Sequence, residues 1–549
     1  MVIGARFFNI IGSAGEDGYE AALVSEISDA KRALKKIELL AENWPHLGQN
    51  EEKNDEKECA LTTDFIASPL DPTDWSEFRE QVIRLLDSCV DFLSHARDNH
   101  WRPMTDEKRK SITLSSASTG IGHGKLVDEL ITNVLPFGTG NIHPRFFGWV
   151  HGTGLASGLL SEIVASTMNS NCGGRDHGAI YIEREVVEWC RQCFGFPETA
   201  SGLLVSGTSQ ATVIALAAAR TKVLGIDSRS AGIRGFPPLA AYAAQGIHSS
   251  TAKALELLGM GTASLRVIKR MDDGCIDLEH LRETIDADRS TGILPLCIIG
   301  TAGSVDTGFF DNLHSLADFC SSEKIWFHID GAFGAWVRLA GDPWKKLANG
   351  IERADSLAFD FHKWMFVQYD CGAVLIRQSQ IHRQTFASRP AYLEGQDAGL
   401  GGGEPWYCDY GIDLSRNFRA LKVWSALKTY GSGELGKAIT RTCELAFYMA
   451  TLIENSGELQ LSAPVISNIC CFSAVIETMA EAETDRLNLQ IVRNLQMNGD
   501  VVFSTTKLAG RVSIRAALVN HRTCNADIEY AVHCVIREKT VLLSGTDNR

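Results

Sequence analysis

Four short apolar runs, Gly292 to Gly300, Ile325 to Ile329, Leu357 to Phe359 and Ala373 to Ile376, punctuate the middle of this 549-residue chain, with helical stretches between them. Each has the length of a strand and is short for a buried helix. Strands separated by helix-length segments tend to lie parallel, because the crossover must carry the chain back over one face of the sheet. The expectation is an α/β fold: a mostly parallel sheet with helices on both faces and ligands gathered outside the strand ends. From about Leu421 onward a smaller α+β domain is expected, with Val512-Ser513-Ile514-Arg515-Ala516-Ala517-Leu518 as one of its strands.

Two of these runs end in reactive residues. One closes as His328-Ile329-Asp330-Gly331-Ala332, and Ser356-Leu357-Ala358-Phe359-Asp360-Phe361 is followed by His362, Lys363 and Trp364. A lysine amine condenses with an aldehyde only after losing its proton, which partial burial favours. An aspartate facing a pyridine nitrogen keeps that nitrogen protonated, so that the ring can accept electrons from a breaking bond. Together they are what a pyridoxal phosphate enzyme needs. Taken singly, Lys363 reads rather as a surface lysine and Asp330 as a strand-end turn residue, and their joint context is what points to the chemistry.

A third element is suited to an anion. Leu203-Leu204-Val205 reads as a buried strand, and Ser206-Gly207-Thr208-Ser209-Gln210-Ala211-Thr212 leads into the alanine-rich stretch Val213 to Arg220. Strand, hydroxyl-rich turn and helix would aim backbone N–H groups and the positive helix end at a phosphate. An ordinary N-capped helix is the alternative. The glycine-lysine ending of a nucleotide loop is missing.

With these elements in place, the chain resembles the group II pyridoxal phosphate decarboxylases, the family of aromatic amino acid, histidine and glutamate decarboxylases. The resemblance runs from about Asp71 to near Lys539. It includes His143-Pro144-Arg145-Phe146-Phe147-Gly148-Trp149, Ala244-Gln245-Gly246-Ile247-His248-Ser249-Ser250, Gly300-Thr301-Ala302-Gly303-Ser304 and Asn417-Phe418-Arg419-Ala420-Leu421-Lys422-Val423-Trp424. It implies the fold type I architecture of aspartate aminotransferase: a helical dimerisation arm over 71–154, a large domain over 155–420 with a mostly parallel seven-stranded sheet, and a small domain over 421–549. It also implies pyridoxal 5'-phosphate as cofactor and a homodimer with its active site at the subunit interface. By position, Lys363 is the imine lysine and Asp330 pairs with the pyridine nitrogen. Gly207, Thr208 and Ser209 hold the phosphate with His362 beside them, and His248 stacks on the ring. Ala332 lies against the ring and Thr301 close to it.

Arg389-Pro390-Ala391-Tyr392-Leu393, followed by the glycine-rich Ala398 to Gly403, resembles the mobile active-site loop of this family. The resemblance makes Tyr392 the residue that protonates carbon after CO2 leaves. A tyrosine here implies simple decarboxylation, whereas phenylalanine in relatives goes with oxygen chemistry that yields an aldehyde. An incidental loop tyrosine is the alternative. For the substrate, the resemblance points to the segment holding Trp149 and His151, and to partner-subunit residues near Arg175, Asp176 and His177. Those polar residues suit either a polar substrate side chain or a salt-bridged wall. An aromatic L-amino acid is the first expectation, with an acidic or other polar amino acid as the alternative.

Composition narrows the partners. A net charge of −14 argues against nucleic acid or an anionic membrane. No stretch of about twenty apolar residues is present, so no membrane span is expected. The apolar patch within Met1 to Ile11 is interrupted by Asn9 and followed by Glu16 and Asp17, too short for a secretory signal. Fifteen scattered cysteines suit reduced thiols in the cytosol, and the one close pair, Cys190 and Cys193, reads as helix packing, with no metal expected.

The first 70 residues lie outside the resemblance. Glu20 to Ala41 has helical spacing, and the charged run Gln49 to Glu58 reads as a disordered linker. Asp74, with Glu77 three residues on, signals a helix whose stripe is Phe78, Val82, Leu85, Leu86, Cys89, Val90 and Leu93. This stripe either packs on a second subunit or joins the chain's own core. Three functions are consistent with the sequence: an amino acid decarboxylase, another pyridoxal phosphate reaction such as an aldehyde synthase, and a catalytically silent regulatory protein of this fold.

Overall fold

A computed structural model describes residues 70–114, 119–271, 273–388, 395–474, 476 and 479–544. The expected helix within Glu20 to Ala41, the charged run Gln49 to Glu58, and Tyr392 lie outside the described residues. Helix α1 (Trp75–Ser94) starts where the sequence signals it, with Asp74 Oδ1 accepting the Ser76 and Glu77 amides at 2.8 and 3.1 Å. None of its residues is buried, and Val82 and Val90 of the expected stripe are exposed. Helices α2 (Ala156–Met168) and α3 (Gly178–Cys193) follow.

Next comes the alternation read from the sequence: β1 (Ser201–Val205), α4 (Thr208–Leu224), β2 (Leu239–Ala244), α5 (Ser250–Leu257), β3 (Leu265–Ile268), α6 (Leu278–Ser290), β4 (Leu294–Thr301), α7 (Leu313–Glu323), β5 (Trp326–Asp330), β6 (Ser356–Asp360) and β7 (Gly372–Ile376). The seven strands form one sheet in the order β1-β7-β6-β5-β4-β2-β3. Pairing is parallel from β6 through β5, β4 and β2 to β3, while β7 runs antiparallel to both neighbours. Residues of β2, β5, β6 and β7 are buried throughout, as strands covered on both faces must be. Ala215 and Ala217 to Ala219 of α4 are buried, and their small side chains let the helix lie close on β6 and β7.

A buried ion pair fixes the start of this sheet. Arg416 donates to Glu183 on α3 at 3.0 Å and, by a second contact, to the other carboxylate oxygen. It also donates to the carbonyls of Cys172 and Leu204, both at 2.7 Å. Glu183 in turn accepts the Leu204 amide at 3.3 Å, so the pair ties β1 to α3 just ahead of the turn into α4.

After β7 the chain enters α8 (Ala420–Ser456), interrupted at Gly431, where φ is 72°. Beyond it lie β8 (Leu459–Leu461), β9 (Ile469–Ala474), α9 (Glu481–Met497), β10 (Ser504–Leu508), β11 (Arg511–Ala517) and α10 (Asn525–Ser544). These strands form a second, antiparallel sheet in the order β10-β11-β9-β8. Leu435, Ile439 and Cys443 of α8 belong to the core of the large sheet, whereas Leu445, Met449 and Ile453 belong to that of the small one. Among the described residues no helix is long and apolar enough to cross a membrane.

Removing one member of a buried ion pair leaves the other charge unpaired, which costs about 3–5 kcal/mol. Glu183→Ala is therefore expected to lower the denaturation midpoint strongly, and replacing Arg416 by Met in the same protein to restore most of the loss. Equal midpoints for wild type and Glu183→Ala would show that the pair does not hold β1 in place.

Candidate active site

Parallel register brings the ends of three strands level: Thr301 of β4 lies opposite Asp330 of β5, and Asp330 opposite Ala358 of β6, two residues before Asp360. Above these ends is a cavity of about 420 Å³, within the usual size of a small-molecule site. Its wall draws His248 from the turn after β2 and Thr301, Asp330, Ala332, His362 and Lys363 from the ends of β4, β5 and β6. Trp149 and His151 come from the segment before α2, and Ser504, Thr506 and Arg515 from the small sheet.

Asp330 is buried, and its Oδ1 accepts the Ala332 amide at 3.1 Å. Burial pushes its carboxyl above the usual carboxylate range, against the pull of that N–H and of Lys363 and His248. Such a group keeps its charge when a cation such as a protonated ring nitrogen faces it. Across the site, Lys363 Nζ lies 2.8 Å from Asp360 Oδ2. The other oxygen of Asp360 accepts the Thr208 amide at 2.7 Å, at the first residue of α4. His362 stands 3.7 Å from Asp360 and is fixed by the Cys371 amide, which donates to its Nδ1 at 3.0 Å. Burial lowers the pKa of His362, with Asp360 opposing. His248 Nδ1 accepts the Ser250 amide at 3.2 Å, which orients its ring.

The strand, turn and helix at this segment are built as the sequence suggests, with β1 ending at Val205 and α4 beginning at Thr208. Gly207, Thr208 and Ser209 are not, however, among the residues on the cavity wall, where Asp360's neighbours His362 and Lys363 appear. Packing there is tight: a Cβ on Gly372 would sit 2.5 Å from Asp360 Oδ1 and 2.6 Å from the Gly207 Cα. Thr208 Oγ1 and Thr301 Oγ1 are buried without hydrogen-bond partners, and so are suited to a polar ligand.

One side of the cavity is aromatic. The rings of Trp149 and His151 stack at 5.5 Å, and His151 stacks on Phe146 at 5.8 Å. Tyr369 meets His151 edge-on at 6.0 Å and His362 at 4.3 Å. Burial, followed by the nearby Lys363 charge, lowers the pKa of His151. Burial pushes the Tyr369 phenol up to about 12, so it remains protonated. The polar group Arg175, Asp176 and His177 is not on this wall. Arg175 lies over the Trp406 ring at 4.9 Å, Asp176 accepts the Tyr181 hydroxyl at 2.6 Å, and His177 Nε2 is 3.2 Å from the Asn171 carbonyl. Asp176 is thus bonded to a tyrosine and not to Arg175.

Two residues escaped the reading of the sequence. Asp360 is one. The other is Arg515, 3% exposed, which donates to the carbonyls of Asp306 at 3.0 Å and Trp149 at 2.9 Å and to Ser504 Oγ at 3.2 Å. Its second terminal nitrogen, Nη2, is buried without a partner, and burial lowers the guanidinium pKa. The signal was available in both cases, since a lone charge inside an otherwise buried strand needs a compensating partner.

The set suits an aromatic aldehyde with an anionic tail: an amine and a carboxylate placed for its two ends, and unsatisfied hydroxyls nearby. Among the described residues, no group of three or more His, Cys, Asp or Glu is arranged to hold a metal.

Comparison with known proteins agrees with this chemistry. The family described as pyridoxal-dependent decarboxylase conserved domain matches residues 114–475. An aromatic-L-amino-acid decarboxylase of Bacillus atrophaeus is 32% identical over 457 residues, 82% of this chain and 93% of that protein. A phenylacetaldehyde synthase of Arabidopsis thaliana is 25% identical over 429 residues, 76% of this chain and 86% of its own. In fold, the chain is similar to Oryza sativa TDC solved with PLP and tryptamine, with a TM-score of 0.79 at 23% identity, covering 86% of this chain and 99% of that one.

Proposed function

This chain belongs to the pyridoxal-dependent decarboxylases, enzymes that use pyridoxal phosphate as cofactor, and on that premise we propose that it converts an aromatic L-amino acid to the amine and CO2. The observation that carries the proposal is the meeting, in one cavity, of Lys363, Asp330, an aromatic wall and the buried Arg515. When bound, pyridoxal phosphate supplies a conjugated ring that takes up the electron pair left as CO2 departs.

Each residue has a task in that reading. Lys363 supplies the amine that holds the cofactor's aldehyde, and Asp330 holds a proton on the ring nitrogen. His248, Ala332 and Thr301 line the ring, while Gly207, Thr208 and Ser209 hold the phosphate with His362 beside them. Arg515 lacks a carboxylate within ion-pairing distance among the described residues, so its free N–H is suited to the substrate's α-carboxylate. Trp149 and His151 offer stacked faces to the aromatic side chain. Tyr392 delivers the proton to carbon, which separates amine formation from aldehyde formation.

The enzyme acts as a homodimer in this proposal, with 71–154 as the arm. Support comes from α2, where Leu160, Ile163, Val164 and Met168 form an exposed apolar stripe at helical spacing, and from the uncovered face of α1. Equilibrium sedimentation is expected to give a dimer for the wild type and a monomer for Leu160→Glu. A wild-type monomer would exclude this arrangement.

Incubating the purified protein with tryptophan, tyrosine, dihydroxyphenylalanine, 5-hydroxytryptophan and glutamate tests the substrate class. Amine and CO2 are expected from the aromatic amino acids, and Tyr392→Phe is expected to shift the product from amine toward aldehyde and peroxide. Turnover of glutamate alone would overturn the aromatic reading, and an unchanged amine yield in the variant would remove Tyr392 from the chemistry.

Losing one partner of a buried charged hydrogen bond costs about 2–5 kcal/mol, roughly 30-fold or more in binding. Arg515→Met should therefore raise KM for the amino acid by that factor, and thermal stability should fall as well, because the Asp306 and Trp149 carbonyls lose their donor. A KM equal to that of the wild type would show that Arg515 does not meet the substrate.

A further inference from the structure

Asp360 is the buried acid for which the proposed chemistry has no use. Its carboxylate stands between the turn into α4 and the cavity, accepting the Thr208 amide at 2.7 Å on one side and pairing with Lys363 at 2.8 Å on the other. Thr208 is the first residue of a 17-residue helix, so its N–H belongs to the helix's positive end, where an incoming anion would bind. Beside that amide, Thr208 Oγ1 is buried and unpartnered in a residue only 5% exposed. The site therefore has a free hydroxyl to offer an anion, while the neighbouring amide is already held by an anion belonging to the chain itself. Close packing from Gly207 and Gly372 leaves the Asp360 side chain little room to withdraw.

We propose that the Asp360 carboxylate is an internal stand-in for the cofactor's phosphate, and that its negative charge beside the Thr208 amide weakens cofactor binding by repelling the phosphate. The inference rests on the reading that Gly207, Thr208 and Ser209 hold that phosphate. Its consequence is an enzyme that exchanges cofactor readily, with the apo form stabilised by its own counterion. Once the phosphate binds, Asp360 is a like charge at short range, which disfavours the bound state.

The test compares pyridoxal phosphate with pyridoxal, which has the same aldehyde and ring but no phosphate. Asp360→Asn keeps a carbonyl oxygen to accept the Thr208 amide, so the turn retains its hydrogen bond. Kd for each aldehyde is measured on full-length apoprotein by quenching of tryptophan fluorescence, for the wild type and for Asp360→Asn. Any change in Lys363 reactivity affects both aldehydes alike and cancels in their ratio. The expected result is that Asp360→Asn tightens pyridoxal phosphate by about tenfold or more relative to pyridoxal. Inorganic phosphate should also raise the melting temperature of the apo variant more than that of the apo wild type. An unchanged ratio, or a ratio shifted toward pyridoxal, overturns the proposal while leaving the decarboxylase reading intact. Failure of both proteins to bind either aldehyde overturns that reading as well.

Discussion

Three neighbouring parallel strands create this site. With Thr301 level with Asp330 and Asp330 level with Ala358, the side chains of Thr301 and Asp330 and the turns that follow β5 and β6 face one volume. A one-residue slip would turn every one of those side chains to the opposite face. The register is secured by residues buried on both faces of each strand, so the chemistry inherits its precision from the apolar core.

Several buried charges, in the site and beside it, are answered by named donors or acceptors. Asp330 has one amide, with Lys363 and His248 nearby. Asp360 has an amide and an ammonium, and Arg416 has a carboxylate and two carbonyls. Arg515 stands apart, because carbonyls and one hydroxyl leave part of its guanidinium unanswered.

Much of the fold was legible because β4 to β7 are predominantly apolar, as strands covered on both faces require. Strand β2, Leu-Ala-Ala-Tyr-Ala-Ala, gave no such signal, since alanine serves a buried helix as readily as a strand. The direction of β7 was equally hidden, as periodicity carries no information about strand polarity. At the site, Lys363, Asp330, His248, His362, Thr301, Ala332, Trp149 and His151 share one wall, and the motif order had already linked them. Asp360 and Arg515 went unnoticed because they lie inside strands that were read for their apolar character. Gly207, Thr208 and Ser209 lie where strand gives way to helix as expected, and the Thr208 amide is held by a residue 152 positions away.

The long helix that begins at Ala420 carries a structural obligation for the whole chain. Its later turns serve first the large sheet, through Leu435 and Ile439, and then the small one, through Met449 and Ile453. Neither layer owns this rod. A chain severed at its beginning would strip the small sheet of a wall, and one severed at its end would leave the large sheet carrying an unclaimed apolar overhang. The two layers are thus bound to a common fate in synthesis and unfolding.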